Sequence, residues 1–230
     1  MTNNIKRPSL FLYFTEGVRA LMDYVRGWLF LKSYTFTQRG DGHPVLAVPG
    51  LLCTDFSTRM LRRFLNQLGY AAYGWESGRN TGNFQELLQL NERVDALYQK
   101  HNQKITLIGW SMGGIYVREL AKQRPEMFRQ VITMGSPFGN ISAPNNVKWI
   151  YDLINDPKDT DEAFVATIPN AVSIPTTAIF SKQDGIVPWE ACQEKIEDTT
   201  HQNREVQGSH CGLGMNPSVF EIVAEKMAAF

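Results

Sequence analysis

The sequence predicts an α/β fold, a mostly parallel, twisted sheet with helices on both faces. Short apolar runs of strand length alternate with helix-length stretches from residue 43 onward, the pattern of consecutive βαβ units. A serine set among glycines, Gly109-Trp-Ser111-Met-Gly113-Gly114, falls where one such strand hands over to a helix. With 230 residues, 43% of them hydrophobic and 20% charged, the chain can build one domain with a full core, and a disordered or fibrous chain is excluded.

Residues 1–40 are expected to form an amphipathic helix appended to a domain spanning 41–230. Lys6 and Arg7 precede the apolar run Ser9–Phe14, which is shorter than a signal-peptide core and has no small-residue cleavage site after it. Glu16, Arg19, Asp23 and Arg26 interrupt every membrane-length window and, at spacings of three and four, share one helix face. Val18, Leu21, Met22, Val25 and Leu29 share the opposite face. The expectation is that the apolar face packs on the domain's own core. The alternative is a peripheral membrane contact or a homo-oligomer interface, with the aromatic end Trp28–Leu31 inserting. Balanced charge on the polar face speaks against anionic lipid.

Beyond the turn at Gly40-Asp-Gly42, Val45–Val48 reads as a buried strand closed by Pro49-Gly50. A helix over Ser57–Leu68 stops at Gly69, Ala71–Trp75 is the next strand, and Phe84–His101 the next helix. Lys104–Ile108 is a strand, Gly113–Arg124 a helix and Val131–Met134 a strand. Thr176–Phe180 and Arg204–Val206 are the last two strands, with helices around Pro188–Ile196 and Pro217–Met227. The interval from Phe138 to Ile174 is longer than a crossover needs. It holds one helix candidate, Val147–Ile154, then the polar run Asn155–Asp161, and is expected to be a short lid-like insertion at about 138–174, an ordinary crossover being the alternative.

Net charge and cysteine usage narrow the function. Basic and acidic residues number 23 each, which argues against a nucleic-acid partner. Cys53, Cys192 and Cys211 form no Cys-x-x-Cys pair and cannot all pair internally, so a cytoplasmic setting is expected, with neither a disulfide framework nor a structural zinc site. The chemistry must come from the serine motif. A strand-to-helix reversal this tight crowds the residues two before and two after its apex, and both must lack a Cβ. By composition such a match arises by chance in about one chain in fifteen of this length, so the flanking strand and helix supply the specificity.

With that motif in its strand–turn–helix setting, the sequence resembles the α/β-hydrolase family, in its serine esterase and lipase branch. The resemblance covers the chain from about His43 to the end, without the two antiparallel strands with which the family begins. It implies Ser111 as nucleophile, followed in the chain by an acid and then a histidine, with no metal and no cofactor. Asp184, at the end of the strand Thr176–Phe180, matches the acid position; Asp152, Asp156, Asp159 and Asp161 are weaker candidates. Of four histidines, His43 and His101 precede the nucleophile and His201 precedes the last strand. His210, in the glycine-rich loop after that strand, matches the base.

An oxyanion hole needs two backbone N–H donors. Met112, after the nucleophile, would supply one; by resemblance Leu51, in the loop after the first strand, would supply the other. Leu52, Trp110, Trp149 and Leu153 are candidates for an apolar substrate pocket. The implied activity is hydrolysis of a small-molecule ester or lipid through an acyl-enzyme. Acyltransferase or thioesterase chemistry on the same residues is the alternative, and a non-catalytic binding module the reading from another class.

Overall fold

Four strands buried on both faces need a parallel sheet covered by helices on each side, and the chain builds one. The computed structural model describes residues 5–35, 40–83, 85–155 and 162–229. All strand pairs are parallel, in the order β2-β1-β3-β4-β5-β6. The strands are β1 Pro44–Val48, β2 Ala71–Gly74, β3 Ile105–Trp110, β4 Phe128–Met134, β5 Thr176–Phe180 and β6 His201–Glu205. The helices are α1 Leu10–Ser33, α2 Asp55–Gln67, α3 Glu86–His101, α4 Met112–Gln123, α5 Lys148–Ile154, α6 Glu162–Thr167 and α7 Pro217–Ala228. Alternation within each strand splits the core. Leu46, Val48 and Leu107 pack with α3 and α4 on one face, and Val45, Ile108 and Ile132 with α2 and α7 on the other.

The strand order reverses between β1 and β3, opening a crevice at their C-terminal ends. Pro49-Gly50 leaves β1 at that crevice and Ser111 leaves β3 beside it.

Three segments differ from expectation. The stretch Pro188–Ile196 is a single 3-10 turn, Trp189–Cys192, because Glu194 turns inward to buried Arg118 and its N–H bonds Asn203 Oδ1 at 2.8 Å. The last strand begins at His201, where polar, half-exposed residues pair with β5 at the sheet edge. The 138–174 interval carries α6 as well as α5, and Phe164, Ile168 and Val172 anchor its second half on the core. Of the polar run expected as a hinge, residues 156–161 lie outside the described residues, and with them Asp156, Asp159 and Asp161.

The largest correction concerns α1, which docks with its faces reversed. Glu16 and Asp23 are buried at 5% and 3% exposure, whereas Val18, Leu21, Met22, Val25 and Leu29 face outward. Polar demand beneath the helix explains this. Asp23 Oδ2 accepts from Ser209 N–H at 3.2 Å and Ser209 Oγ at 2.9 Å, and Asp23 Oδ1 from Asn216 Nδ2 at 3.5 Å. An apolar side chain there would leave those buried donors without partners. Close approach is secured by Gly27, where a Cβ would stand 2.0 Å from the Met215 carbonyl oxygen. Apolar docking comes from Tyr24 and from the last turns, Phe30 lying 6.0 Å from Phe64 and 6.1 Å from Phe220 between ring centres. No described helix is long and apolar enough to cross a membrane.

Asp23→Ala should therefore lower stability by about 2–4 kcal/mol, since it strands buried donors. Arg26→Ala, on the exposed flank of the same helix, should change it by less than about 0.5 kcal/mol. Urea unfolding checks both, and equal losses would show that the Asp23 bonds do not hold the helix down.

Candidate active site

The turn between β3 and α4 is the most constrained backbone in the site. Ser111 sits at its apex with φ 53° and ψ −121°, a left-handed conformation that non-glycine residues adopt only under surrounding constraint. Its N–H is held by the Met134 carbonyl at 2.8 Å. A Cβ on Gly109 would fall 2.4 Å from the Gly113 carbonyl oxygen, and one on Gly113 would fall 2.5 Å from the carbonyl oxygens of Val48 and Pro49. Both flanking glycines are thus sterically required.

Asp184 and His210 arrive from two other strand ends. Asp184 Oδ2 lies 2.5 Å from His210 Nδ1, and both residues are buried. Asp184 Oδ1 accepts the N–H groups of Ile186 at 2.7 Å and Val187 at 2.8 Å, which fixes the carboxylate plane. The Trp110 indole N–H donates to the His210 carbonyl at 3.2 Å, tying the histidine loop to the residue before Ser111. Among the described residues, neither His210 Nε2 nor Ser111 Oγ has a hydrogen-bond partner, and no hydrogen bond joins the two.

The other histidines and acids serve elsewhere. His43 is buried between Asp41 and Thr106, His101 bonds the Tyr73 hydroxyl, and His201 bonds the Val172 carbonyl at the opposite edge of the sheet. Asp152 is exposed and paired with Lys148.

Beside Ser111, the loop after β1 comes close enough that a Cβ on Gly50 would be 3.1 Å from the Ser111 Cβ. Among the described residues, neither the Leu51 nor the Met112 N–H has a protein acceptor. Met112 opens α4, where a helix's first N–H groups are free by construction and the dipole is positive. Leu51 is left free because its neighbours are claimed: Leu52 N–H bonds Asn80 O at 2.7 Å and Cys53 N–H bonds Gly50 O at 3.0 Å. Leu52 itself takes φ 59°.

Two residues of this site carry no sequence signal. Asn80, fully buried, bonds the loop from the other side, its Nδ2 donating to Pro49 O at 2.8 Å and its N–H to Cys53 O at 2.9 Å. Glycines at 78 and 82 mark its loop, but nothing marks its side chain as a clamp. Glu16 of α1 accepts from Gly185 N–H at 2.8 Å, His210 N–H at 3.2 Å and Cys211 N–H at 3.0 Å, and pairs with Arg19. One carboxylate thus spans the loops that carry Asp184 and His210. Helical periodicity shows only that Glu16 lies on a polar face.

The electrostatics follow from this geometry. Burial pushes the His210 imidazole down, but Asp184 and, more weakly, Glu16 overcome it, and its pKa is raised. Burial and Glu16 push the Cys211 thiol up to about 12, and burial also raises Cys53 and Cys192, so the thiols are poor nucleophiles.

The expected pocket residues divide. Leu52 is half-buried beside the candidate oxyanion donor. Trp110 is a core residue that supports the His210 loop, and Trp149 and Leu153 are 61% and 76% exposed, so these three do not line a pocket here. The short α5 presents Tyr151 inward instead, where a Cβ on Gly82 would lie 2.9 Å from both Tyr151 and Leu51. A groove of about 520 Å³ lined by Arg26, Arg204, Glu205, Glu221 and Glu225 does not include Ser111.

No protein-family model and no curated protein sequence matches the chain. Solved structures do. One of the metagenome-derived lipolytic enzymes LipS and LipT aligns over 84% of this chain and 96% of its own, at 16% identity and TM-score 0.64. The monoacylglycerol lipase of Paleococcus ferrophilus aligns over 84% and 96%, at 15% identity and TM-score 0.60. The naproxen esterase of Bacillus subtilis aligns over 92% and 98%, at 12% identity and TM-score 0.55. With its parallel six-stranded sheet and its likeness to lipases, esterases and other α/β-hydrolases across most of their length, this chain has the α/β-hydrolase fold.

Proposed function

We propose that the protein is a serine hydrolase that cleaves carboxylic esters through an acyl-enzyme. The observation that carries this reading is the buried contact of 2.5 Å between Asp184 Oδ2 and His210 Nδ1 at the sheet edge where Ser111 crowns its strained turn. His210 Nε2 takes the Ser111 proton as Oγ bonds the ester carbonyl carbon, and the tetrahedral oxyanion falls to the Leu51 and Met112 N–H groups. The intermediate expels the alcohol, which takes the proton from His210, and leaves the serine ester. A water that gives its proton to His210 then attacks the ester; collapse returns that proton to Ser111 and frees the acid. Asp184 holds the tautomer with the proton on Nδ1 and stabilises the imidazolium. Hydrogen bonds between nucleophile and base commonly tighten only when substrate fills the site, which fits the free Ser111 hydroxyl. Half-buried Leu51 and Tyr151, which meet at Gly82 next to the loop after β1, suit an apolar acyl or alcohol group, and the lipase and esterase neighbours support an ester or lipid as substrate. The three free cysteines support a cytoplasmic setting.

A fluorophosphonate probe should label the wild type and not Ser111→Ala. Ser111→Ala and His210→Ala should each lower hydrolysis of a p-nitrophenyl ester by at least about three orders of magnitude while thermal melting is unchanged. Labelling that persists in Ser111→Ala would sink the proposal.

The pH profile supplies a second check. Imidazolium cannot accept the serine proton, so kcat/KM should be lost on the acid side and recovered as His210 deprotonates. Because the pKa of His210 is raised, that acid limb should lie above the ordinary histidine value of 6.5. Glu16→Gln removes an anion that favours the imidazolium and should move the limb to lower pH. A limb that stayed put or moved upward would contradict any electrostatic influence of Glu16 on His210.

A further inference from the structure

We infer that α1 is a membrane-surface helix, its outward face lying flat on an anionic phospholipid surface while its inward face stays docked on the loops of Asp184 and His210. The inference goes beyond the ester-cleaving reading and does not depend on it. Phe11, Phe14, Val18, Leu21, Val25 and Leu29, at spacings of three and four, stand between 47% and 78% exposed along one stripe. From Phe11 to Leu29 the stripe runs for about 27 Å along the helix. None of the described residues covers it, and an exposed apolar patch of this extent marks an interaction site on a folded protein.

Charge selects the occupant. Both acids of α1, Glu16 and Asp23, are consumed on the inward face, so the balanced charge that the sequence suggested is absent from the outside. What remains outward is cationic. Lys6 and Arg7 are exposed before the helix, and Lys32 closes the stripe with its ammonium 3.5 Å from the centre of the Trp28 ring, while Arg26, on the flank, shares its groove with Glu205, Glu221 and Glu225. None of the four has an ion pair among the described residues. An apolar stripe with cations and a tryptophan at its ends matches an interface in which side chains enter the acyl region and ammonium groups reach lipid phosphates. A second copy fits worse. Antiparallel pairing of two stripes sets Lys6 and Arg7 of one against Lys32 of the other, and parallel pairing sets each cationic end against itself.

The test is co-sedimentation of the full chain with phosphatidylcholine vesicles, with and without phosphatidylglycerol. The wild type should pellet with the anionic vesicles, at least about tenfold more weakly with phosphatidylcholine alone, and more weakly as salt rises. Val18→Ser/Leu21→Ser should bind on the order of a hundredfold more weakly. Its melting temperature and its hydrolysis of a water-soluble acetate ester should match the wild type, because neither side chain packs on the domain. Wild type left in the supernatant with both vesicles would overturn the inference, as would equal binding to both. So would a stable wild-type dimer without lipid that the double variant dissociates, which would assign the stripe to a second copy. Vesicle binding involves no turnover, so an inactive protein that binds would count against the ester reading alone.

Discussion

Two carboxylates of α1 accept the backbone N–H groups of Gly185, Ser209, His210 and Cys211, and the arrangement of the site hangs on those bonds. Loops at strand ends expose N–H groups that no sheet or helix satisfies, and each one buried without a partner costs about 1–3 kcal/mol. Water could serve them on an open surface. Here a helix covers the loops, so its buried face must be polar where it crosses them. Glu16 and Asp23 supply the acceptors, and the apolar side of the same helix is left facing outward.

The same bonds reach the candidate chemistry. Glu16 joins the loop after Asp184 to the loop of His210, so the contact between acid and imidazole is braced from outside the sheet. A carboxylate that near also adds to the negative field that keeps the imidazole more basic than usual. Cys211, next to His210 and bonded through its N–H to the same carboxylate, has its thiol pKa raised by burial and by that carboxylate, which makes it a poor nucleophile.

A second set of constraints lies across the crevice. The Ser111 turn can exist only because Gly109 and Gly113 offer no Cβ, and the loop after β1 must then rest against it. That loop keeps the Leu51 N–H free because Asn80 and the loop's own turn occupy its neighbours. In the proposed reaction, donors held in this way would meet the oxyanion without reorganisation.

Much of this was legible from the chain. The alternation of buried strands and helices followed from apolar periodicity, and the Ser111 turn from glycines at a spacing that only steric crowding demands. Asp184 and His210 could be chosen because the resemblance to the α/β-hydrolases supplies a chain order, and they fit it at strand ends that the C-terminal edge of a parallel sheet gathers into one place. The sequence pattern starts β6 three residues late because an edge strand need not be apolar, and extends the Trp189 turn too far because a buried partner for Glu194 is invisible locally. Trp149 and Leu153 looked like pocket residues since composition cannot tell an inward face from an outward one on a helix of seven residues. The sequence by itself determined which α1 residues share a face, since periodicity is a local property. Only the tertiary structure decided which face is buried, because that depends on unpaired N–H groups in loops more than 160 positions away along the chain.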